Sequence, residues 1–154
     1  MGEESSVTTS GHSAGKKPVE RLLTAIGYPE RMSDGSAPFV LRVDGMEIIA
    51  EDTGERVLLS YALTDDESIL PTLASYASGR MLVEDAVLAH GQIHGHRPSA
   101  FIWQDAPADA GTRELVRLFE TFVDSCDWWR ERVGALRGGE AEIPDADRAM
   151  VIRP

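Results

Sequence analysis

The chain has 154 residues, with 15 Lys and Arg against 26 Asp and Glu, so its formal net charge is −11 with His neutral. This length favours one domain, and a content of 42% apolar and 27% charged residues is typical of a soluble globular protein. Such an acidic chain is a poor binder of nucleic acid or anionic membranes, because both require clustered Lys and Arg. The sequence shows no secretory signal and no membrane-spanning stretch. The single cysteine, Cys126, excludes an internal disulfide, and we expect a cytoplasmic protein.

Composition divides the chain into three parts. Residues 1–17 are mostly Ser, Thr, Gly and charged residues, which predicts a disordered N-terminal tail. Residues 138–154 begin with two glycines and carry two prolines and four acids, which predicts a flexible acidic C-terminal tail. The domain is therefore expected over residues 18–137.

The first predicted element is a short helix. Pro18 suits its first turn and Gly27 suits a left-handed stop after its last turn. Its apolar residues recur at the spacing of one helical face, namely Val19, Leu22, Leu23 and Ile26.

Three strands follow, over residues 39–43, 46–51 and 56–63. Asp44-Gly45 is a strong signal for a two-residue hairpin between the first two strands. If the second turn is also a two-residue loop, Ile48 lies opposite Leu59, and alternation then assigns one core face to all three strands.

The opposite face of these strands is also patterned. The same register aligns Val40, Ile49 and Leu58 as an apolar row. Two cross-strand ion pairs of opposite sign frame this row, Arg42–Glu47 and Glu51–Arg56. Three interpretations remain open: another part of the chain covers the row, its members are scattered surface residues, or the row binds a partner.

The second half of the chain predicts a helix over 68–79, strands over 84–90 and 99–104, and a long last helix. Ser68 and Thr112 are the expected N-caps of the two helices, and Gly138-Gly139 is the expected stop of the second. The element order α-β-β-β-α-β-β-α predicts a single α+β domain with helices packed on a mostly antiparallel twisted sheet.

No motif for catalysis or cofactor binding emerges. His90, His94 and His96 are the one candidate metal cluster, but a fourth ligand is missing, and solvated loop histidines are the favoured interpretation. Cys126 lies on the apolar stripe of the last helix, which predicts a buried thiol rather than a nucleophile. Because nothing assembles a nucleophile, a base and an oxyanion site, we expect no enzyme, no metal and no cofactor.

The element order, the small acidic chain and three segments resemble the class I type III secretion chaperones, the Tir chaperone family. Residues 39–48 are similar to the family's first hairpin, and residues 57–63 to its third strand. Residues 99–104 with the following helix resemble its closing strand and helix. The resemblance covers roughly residues 18–137.

This resemblance implies a bacterial cytoplasmic homodimer without enzymatic activity that acts in virulence. It would keep the extended N-terminal region of a secreted effector soluble and hand it to the secretion ATPase. The effector would contact the first helix and the sheet surface, which designates Val19, Leu22, Ile26, Val40, Ile49 and Leu58. The dimer would form through the second helix and the neighbouring strand, which designates Leu70, Leu73, Ala77, Val87 and Leu88.

Two alternatives stay open, a small dimeric α+β adaptor or regulatory module that binds a protein, and an enzyme that uses the histidine loop. Trp128 is a separate candidate contact, because it points away from the apolar stripe of the last helix. We expect it either to be covered by the C-terminal tail or to dock a partner, with Arg117 or Arg132 beside its ring.

Overall fold

A five-stranded antiparallel sheet with three helices forms the computed structural model, which describes residues 15–28, 38–80, 82–92 and 99–139. The elements in chain order are α1 (Pro18–Ala25), β1 (Phe39–Val43), β2 (Met46–Asp52), β3 (Arg56–Thr64), a short 3₁₀ turn (Glu67–Ile69), α2 (Leu70–Arg80), β4 (Val87–Gly91), β5 (Ser99–Pro107) and α3 (Thr112–Gly138). The predicted α+β class and element order are confirmed. Both predicted tails lie almost wholly outside the described residues, as do His94 and His96.

The sheet has the strand order β1-β2-β3-β5-β4, so β1 and β4 are its edges. The β1–β2 hairpin has the predicted register, with Val43 opposite Met46 and Val40 opposite Ile49. Its turn residues Asp44 and Gly45 both have positive φ, 48° and 79°, as a type I′ turn requires.

The predicted β2–β3 register is wrong by two residues. Leu59 lies opposite Ala50 rather than Ile48, and Leu58 lies opposite Glu51. The turn is centred one residue further toward the C-terminus than predicted, because the N–H of Thr53 donates to the carbonyl of Arg56 and closes the loop there. A shift of two preserves the side-chain alternation, so every β3 residue keeps its predicted face.

The helices pack on one face of the sheet, where alternate strand residues are buried with the apolar stripe of α3. From the sheet, the core takes Leu41, Met46, Ile48, Ala50, Val57, Leu59, Ala100 and Ile102. From α3 it takes Leu115, Leu118, Phe122, Cys126, Trp129 and Val133. Burial raises the pKa of the Cys126 thiol well above its ordinary value, so this thiol stays protonated. None of the described helices is long and apolar enough to cross a membrane.

The start of α2 differs from the prediction. A 3₁₀ turn precedes it, and Asp66, not Ser68, caps that turn: the Asp66 carboxylate accepts hydrogen bonds from the Ser68 N–H at 3.0 Å and from the Ser68 hydroxyl at 2.6 Å. These bonds lower the pKa of Asp66. The cap of α3 is Gly111 rather than Thr112, while its end at Gly139, with φ 73°, is as predicted.

The end of α1 is a Schellman motif that fixes the chain as it leaves the helix. The N–H of Tyr28 donates to the carbonyl of Leu23 at 3.0 Å, and the N–H of Gly27 donates to that of Thr24 at 3.2 Å. Gly27 has φ 71°, which the predicted left-handed stop requires.

Candidate functional site

The face of the sheet opposite the helices, here called the open face, carries one row of side chains that crosses all five strands. The pairings place one residue of each strand in line: Val40, Ile49, Ser60, Trp103 and Val87. Four members are apolar, and the four lie outside the core that the helices cover. The two end residues are the most open, with Val40 49% and Val87 38% exposed. We call this set the open-face row.

The surface of the open face is recessed at the middle of the open-face row. Ser60 is the smallest of the five side chains and is buried between Ile49 and Trp103, which lie opposite it on the neighbouring strands. A second, shorter line of apolar side chains lies beside the row on β3, β5 and β4. It consists of Ala62, Phe101 and Ala89. The face therefore offers a broad apolar surface with a shallow centre.

The predicted row was partly wrong. Val40 and Ile49 are neighbours as expected, but the third member is Ser60, since Leu58 lies in the next line between Glu51 and Asp105. Leu58 still belongs to the open face. The sequence missed Trp103, whose place in the row depends on a β3–β5 pairing that spans a long connection.

Charged residues border the row at both ends of the strands. Arg42 and Glu47 form the predicted pair, at 3.0 Å. The second pair departs from the predicted register: Leu58 lies opposite Glu51, and Arg56 pairs with Asp105 on the adjacent strand β5, whose hydrogen bond raises the pKa of Arg56. The register shift explains this change, because it moves Arg56 past Glu51 and opposite Pro107, next to Asp105.

The other residues expected to contact an effector lie on α1. Val19 and Leu22 are buried in the core between α1 and the rest of the domain, so neither offers a free surface. Ile26, at the end of α1, is partly exposed and packs against the core. The helix face that looked like a binding stripe is thus the packing face of a short amphipathic helix.

The residues expected at a dimer interface are divided between core and surface. Leu73 is fully buried, so it supports α2 from inside rather than contacting a partner. Leu70, Ala77 and Leu88 are partly buried. The most exposed apolar side chains of the region were not predicted: Leu82 and Val83, in the connection between α2 and β4, are 88% and 75% exposed. Their signal was an apolar pair that directly follows a helix end.

Trp128 packs against α2, which the sequence did not indicate, while the C-terminal tail expected to cover it lies outside the described residues. Its ring lies edge-on to Tyr76, with centroids 6.2 Å apart. The guanidinium of Arg80 lies 4.1 Å from the ring centroid and that of Arg132 lies 5.0 Å from it. Arg80 also pairs with Glu84. Arg132 was correctly expected beside the ring, and the arrangement holds α2 against α3.

The outer edge of β1 is occupied by a side chain. The hydroxyl of Tyr28 accepts a hydrogen bond from the Arg42 N–H at 3.3 Å and donates one to the Val40 carbonyl at 3.4 Å. The ring of Tyr28 packs against the core.

Across the described ranges, no three His, Cys, Asp or Glu side chains are close enough to hold a metal. His90 lies on β4 and is exposed, while His94 and His96 fall outside those ranges. A cleft between β5 and the first half of α3 is lined by Asp85, Gln104, Asp105, Glu114 and Arg117. Acidic and polar side chains therefore dominate the lining of this cleft.

The fold is shared with several solved structures, while neither a family model nor a curated protein sequence matches the chain. The structure of the HopA1–SchA chaperone–effector complex matches with TM-score 0.55 at 17% identity, over 71% of this chain and 88% of that one. The Yersinia pestis type III secretion chaperone SycH, in complex with a fragment of YscM2, matches with TM-score 0.52 at 10% identity, over 73% and 96%. YbjN from E. coli, a putative transcription regulator, matches with TM-score 0.51 at 14% identity, over 79% and 90%. The chain thus has the fold found in type III secretion chaperones.

Proposed function

We propose that this protein is a bacterial type III secretion chaperone, which binds an extended segment of a secreted effector and keeps it soluble until export. The observation that carries the proposal is the open-face row, a line of five side chains across the whole sheet, four of them apolar, that the described helices leave uncovered. The shared fold with SchA and SycH supports it.

The shape of the open face suits an unfolded client better than a folded one. A row that crosses the strands is matched by side chains spaced along an extended segment, and its shallow centre at Ser60 accepts one that protrudes. An unfolded client loses conformational entropy when it is ordered, so it needs a long contact surface. The net charge of −11 favours a basic segment and accelerates its encounter.

A homodimer would double this surface. The exposed pair Leu82 and Val83 adjoins the edge strand β4, where Val87 ends the open-face row. Burial of these residues against a second copy would remove exposed apolar area and cover a free sheet edge. We propose this region, with Leu70, Ala77 and Leu88 beside it, as the dimer interface, and the dimer as the form that meets the secretion ATPase in the cytoplasm.

A second candidate is a regulatory module that binds another protein, and the fold of YbjN, a putative transcription regulator, favours it. The acidic charge of the chain opposes direct binding to DNA, so such a module would act through a protein partner. The open-face row would serve either function. The two differ in whether the bound partner is an unfolded segment or a folded domain.

Co-expression with the proteins encoded on either side of this gene tests the proposal. We expect one of them to co-purify, with its bound N-terminal segment sensitive to protease once released. Ile49→Asp should abolish the complex, because it forces a charge into a desolvated row. Gly111→Asp is the matched control, since it adds the same charge at an exposed helix cap where an added Cβ meets nothing within 4 Å.

Two outcomes contradict the proposal. Binding unchanged by Ile49→Asp removes the open face as the client site. Capture of a folded, protease-resistant partner favours the regulatory module. Leu58→Asp should weaken binding less than Ile49→Asp, because Leu58 lies beside the row between two acids.

A further inference from the structure

The cleft between β5 and the first half of α3, here called the β5–α3 cleft, has a buried polar side chain at its floor. Alternation along β5 directs Ala100, Ile102, Gln104 and Ala106 onto the helix-covered face of the sheet, and Gln104 is the polar member of this series. Gln104 lies opposite the core residue Leu59 and is only 7% exposed. A polar side chain at such a position breaks the pattern of the core, so it requires an explanation.

The side chain of Gln104 lines the cleft without a hydrogen-bond partner among the residues that the structure describes. Burial of an amide costs free energy unless its carbonyl and N–H groups are bonded. The cleft holds about 540 Å³, within the range of roughly 300–1,000 Å³ that is usual for ligand sites. The amide therefore faces a space that is large enough for a bound group to satisfy it.

The rim of the cleft carries charges that are not neutralised within the domain. Asp85 precedes β4 and Glu114 lies in the first turn of α3, and both are exposed. Over the described ranges neither carboxylate is ion-paired, and neither is the guanidinium of Arg117, one turn after Glu114. Asp105 also lines the cleft but pairs with Arg56. Two unpaired negative charges against one positive charge favour a cation in the cleft.

The apolar part of the lining selects the kind of cation. Ala106, Pro107 and Leu118 complete the cleft, and two of them, Ala106 and Leu118, are buried. A guanidinium is flat and weakly hydrated, so it can lie on apolar side chains while its five N–H donors point in several directions. An ammonium group is compact and strongly hydrated, and it loses more solvation in the same place. A guanidinium can thus donate to the Gln104 carbonyl and to a rim carboxylate together.

The cleft is continuous with the open face at Asp105. This residue lies opposite Leu58 on the open face and also lines the cleft. β4 begins at Val87, opposite Trp103, so no described strand lies outside β5 beyond Trp103. A segment bound to the open face therefore reaches the cleft past Asp105 without crossing a strand.

We propose that the β5–α3 cleft binds the guanidinium of an arginine in the client segment. The Gln104 carbonyl accepts a hydrogen bond from it at the floor, and Asp85 and Glu114 oppose its charge at the rim. This inference rests on the proposed function, and it adds a requirement for the client: an arginine beside the apolar residues that cover the open-face row. Arg117 has the same charge as this group and lowers its affinity.

The first test needs no client. N-acetyl-L-arginine amide is titrated into the full chain, and the side-chain amide signals of Gln104 are followed by NMR. We expect saturable shifts, with the neutral isostere N-acetyl-L-citrulline amide at least about ten-fold weaker and N-acetyl-L-lysine amide also weaker. Equal binding of the citrulline compound, or no saturable shift with the arginine compound, overturns the proposal.

Charge variants at the rim test the sign of the ligand. Glu114→Gln should weaken binding of the arginine compound about three- to five-fold, and Arg117→Gln should strengthen it about two-fold. Glu131→Gln is the matched control, because it removes the same charge from an exposed position of α3 outside the cleft, and it should change nothing. Weaker binding by Arg117→Gln, or an effect of Glu131→Gln equal to that of Glu114→Gln, contradicts the proposed site.

The floor is tested by Gln104→Leu. This change should weaken binding of the arginine compound about five-fold. The variant should melt no earlier than the parent, because it replaces an unpaired buried amide by an apolar group of similar size. A variant that melts earlier and still binds the compound as the parent does assigns Gln104 to the support of the fold and overturns its role here.

The native client complex separates this inference from the function on which it rests. If the proposal is correct, Glu114→Gln and Gln104→Leu weaken that complex, whereas Glu131→Gln does not. If Ile49→Asp abolishes the complex while Glu114→Gln and Gln104→Leu leave it unchanged, the client uses the open face alone. The proposed function then stands, and the assignment of the cleft to a client arginine is wrong, even where the free arginine compound binds there.

Discussion

Trp103 and Trp128 are two half-buried tryptophans with opposite expected roles. Trp128 is held between Tyr76 and the guanidiniums of Arg80 and Arg132, whereas Trp103 lies in the open-face row. Trp128→Ala should lower the free energy of unfolding by about 2 kcal/mol, from the lost aromatic and cation–π contacts.

Trp103→Ala is the matched comparison. It should change the free energy of unfolding by less than about 1 kcal/mol, because its open-face side chain lies outside the helix-covered core, and it should weaken client binding strongly. Chemical denaturation and binding measured on both variants check the pair. The interpretation fails if Trp128→Ala impairs binding without a loss of stability.

Asp66 gives a prediction of pH dependence. Its pKa is lowered in the folded protein, first by the hydrogen bond from the Ser68 hydroxyl and then by that from the Ser68 N–H. The cap therefore stabilises the fold fully above the carboxyl's unfolded-state pKa, and this contribution is lost as the pH falls through the lowered folded-state pKa.

Asp66→Ala should accordingly be less stable than the parent at neutral pH, with a difference that shrinks in acid. Thermal unfolding at a series of pH values down to the acid limb measures it. Ser68→Ala, which retains the carboxylate and its bond from the backbone, should show a smaller version of the same trend. A stability difference that stays constant with pH contradicts the assignment of the cap.

At the scale of elements, the connection from α2 to β4 is where a second copy should bind. Light scattering at micromolar concentration should give about twice 16.8 kDa for the parent. Val83→Asp should give a folded monomer, because the side chain is already exposed within one copy. Gly111→Asp again controls for charge. A parent that is monomeric at this concentration refutes the interface.

The elements were predictable from sequence where local chemistry determines them. The Asp44-Gly45 turn, the stop at Gly27 and the stripe of α3 each depend on residues close together in the chain, and all three match the structure. The β2–β3 register was not predictable in this way, because the turn sequence Asp52-Thr53-Gly54-Glu55 allows two strand alignments that bury the same face.

At the candidate site, the sequence missed the features that depend on contacts between residues far apart in the chain. Trp103 enters the open-face row only through pairing of β5 with β3, and α2 covers Trp128 only through tertiary packing. Conversely, the apolar spacing of Val19 and Leu22 predicted a stripe correctly, but periodicity does not distinguish a stripe that packs inward from one that binds a partner.

At the scale of the whole molecule, the domain has two unequal faces. One face of the sheet holds the helices and the core, and the other is a single layer of strand side chains bordered by ion pairs. If the open face binds the client as proposed, stability and binding depend on different side chains of the same strands. Substitutions on the open face would then change the choice of partner while the core stays intact.

The placement of Cys126 has a consequence for assembly. The only sulfur able to form a covalent crosslink is enclosed beneath α3, and its thiol stays protonated there. Two folded copies therefore have no route to a disulfide between them, and neither has a copy with a bound client. The dimer and the client complex proposed above would therefore form through noncovalent contacts, and release of a client would need no reductant.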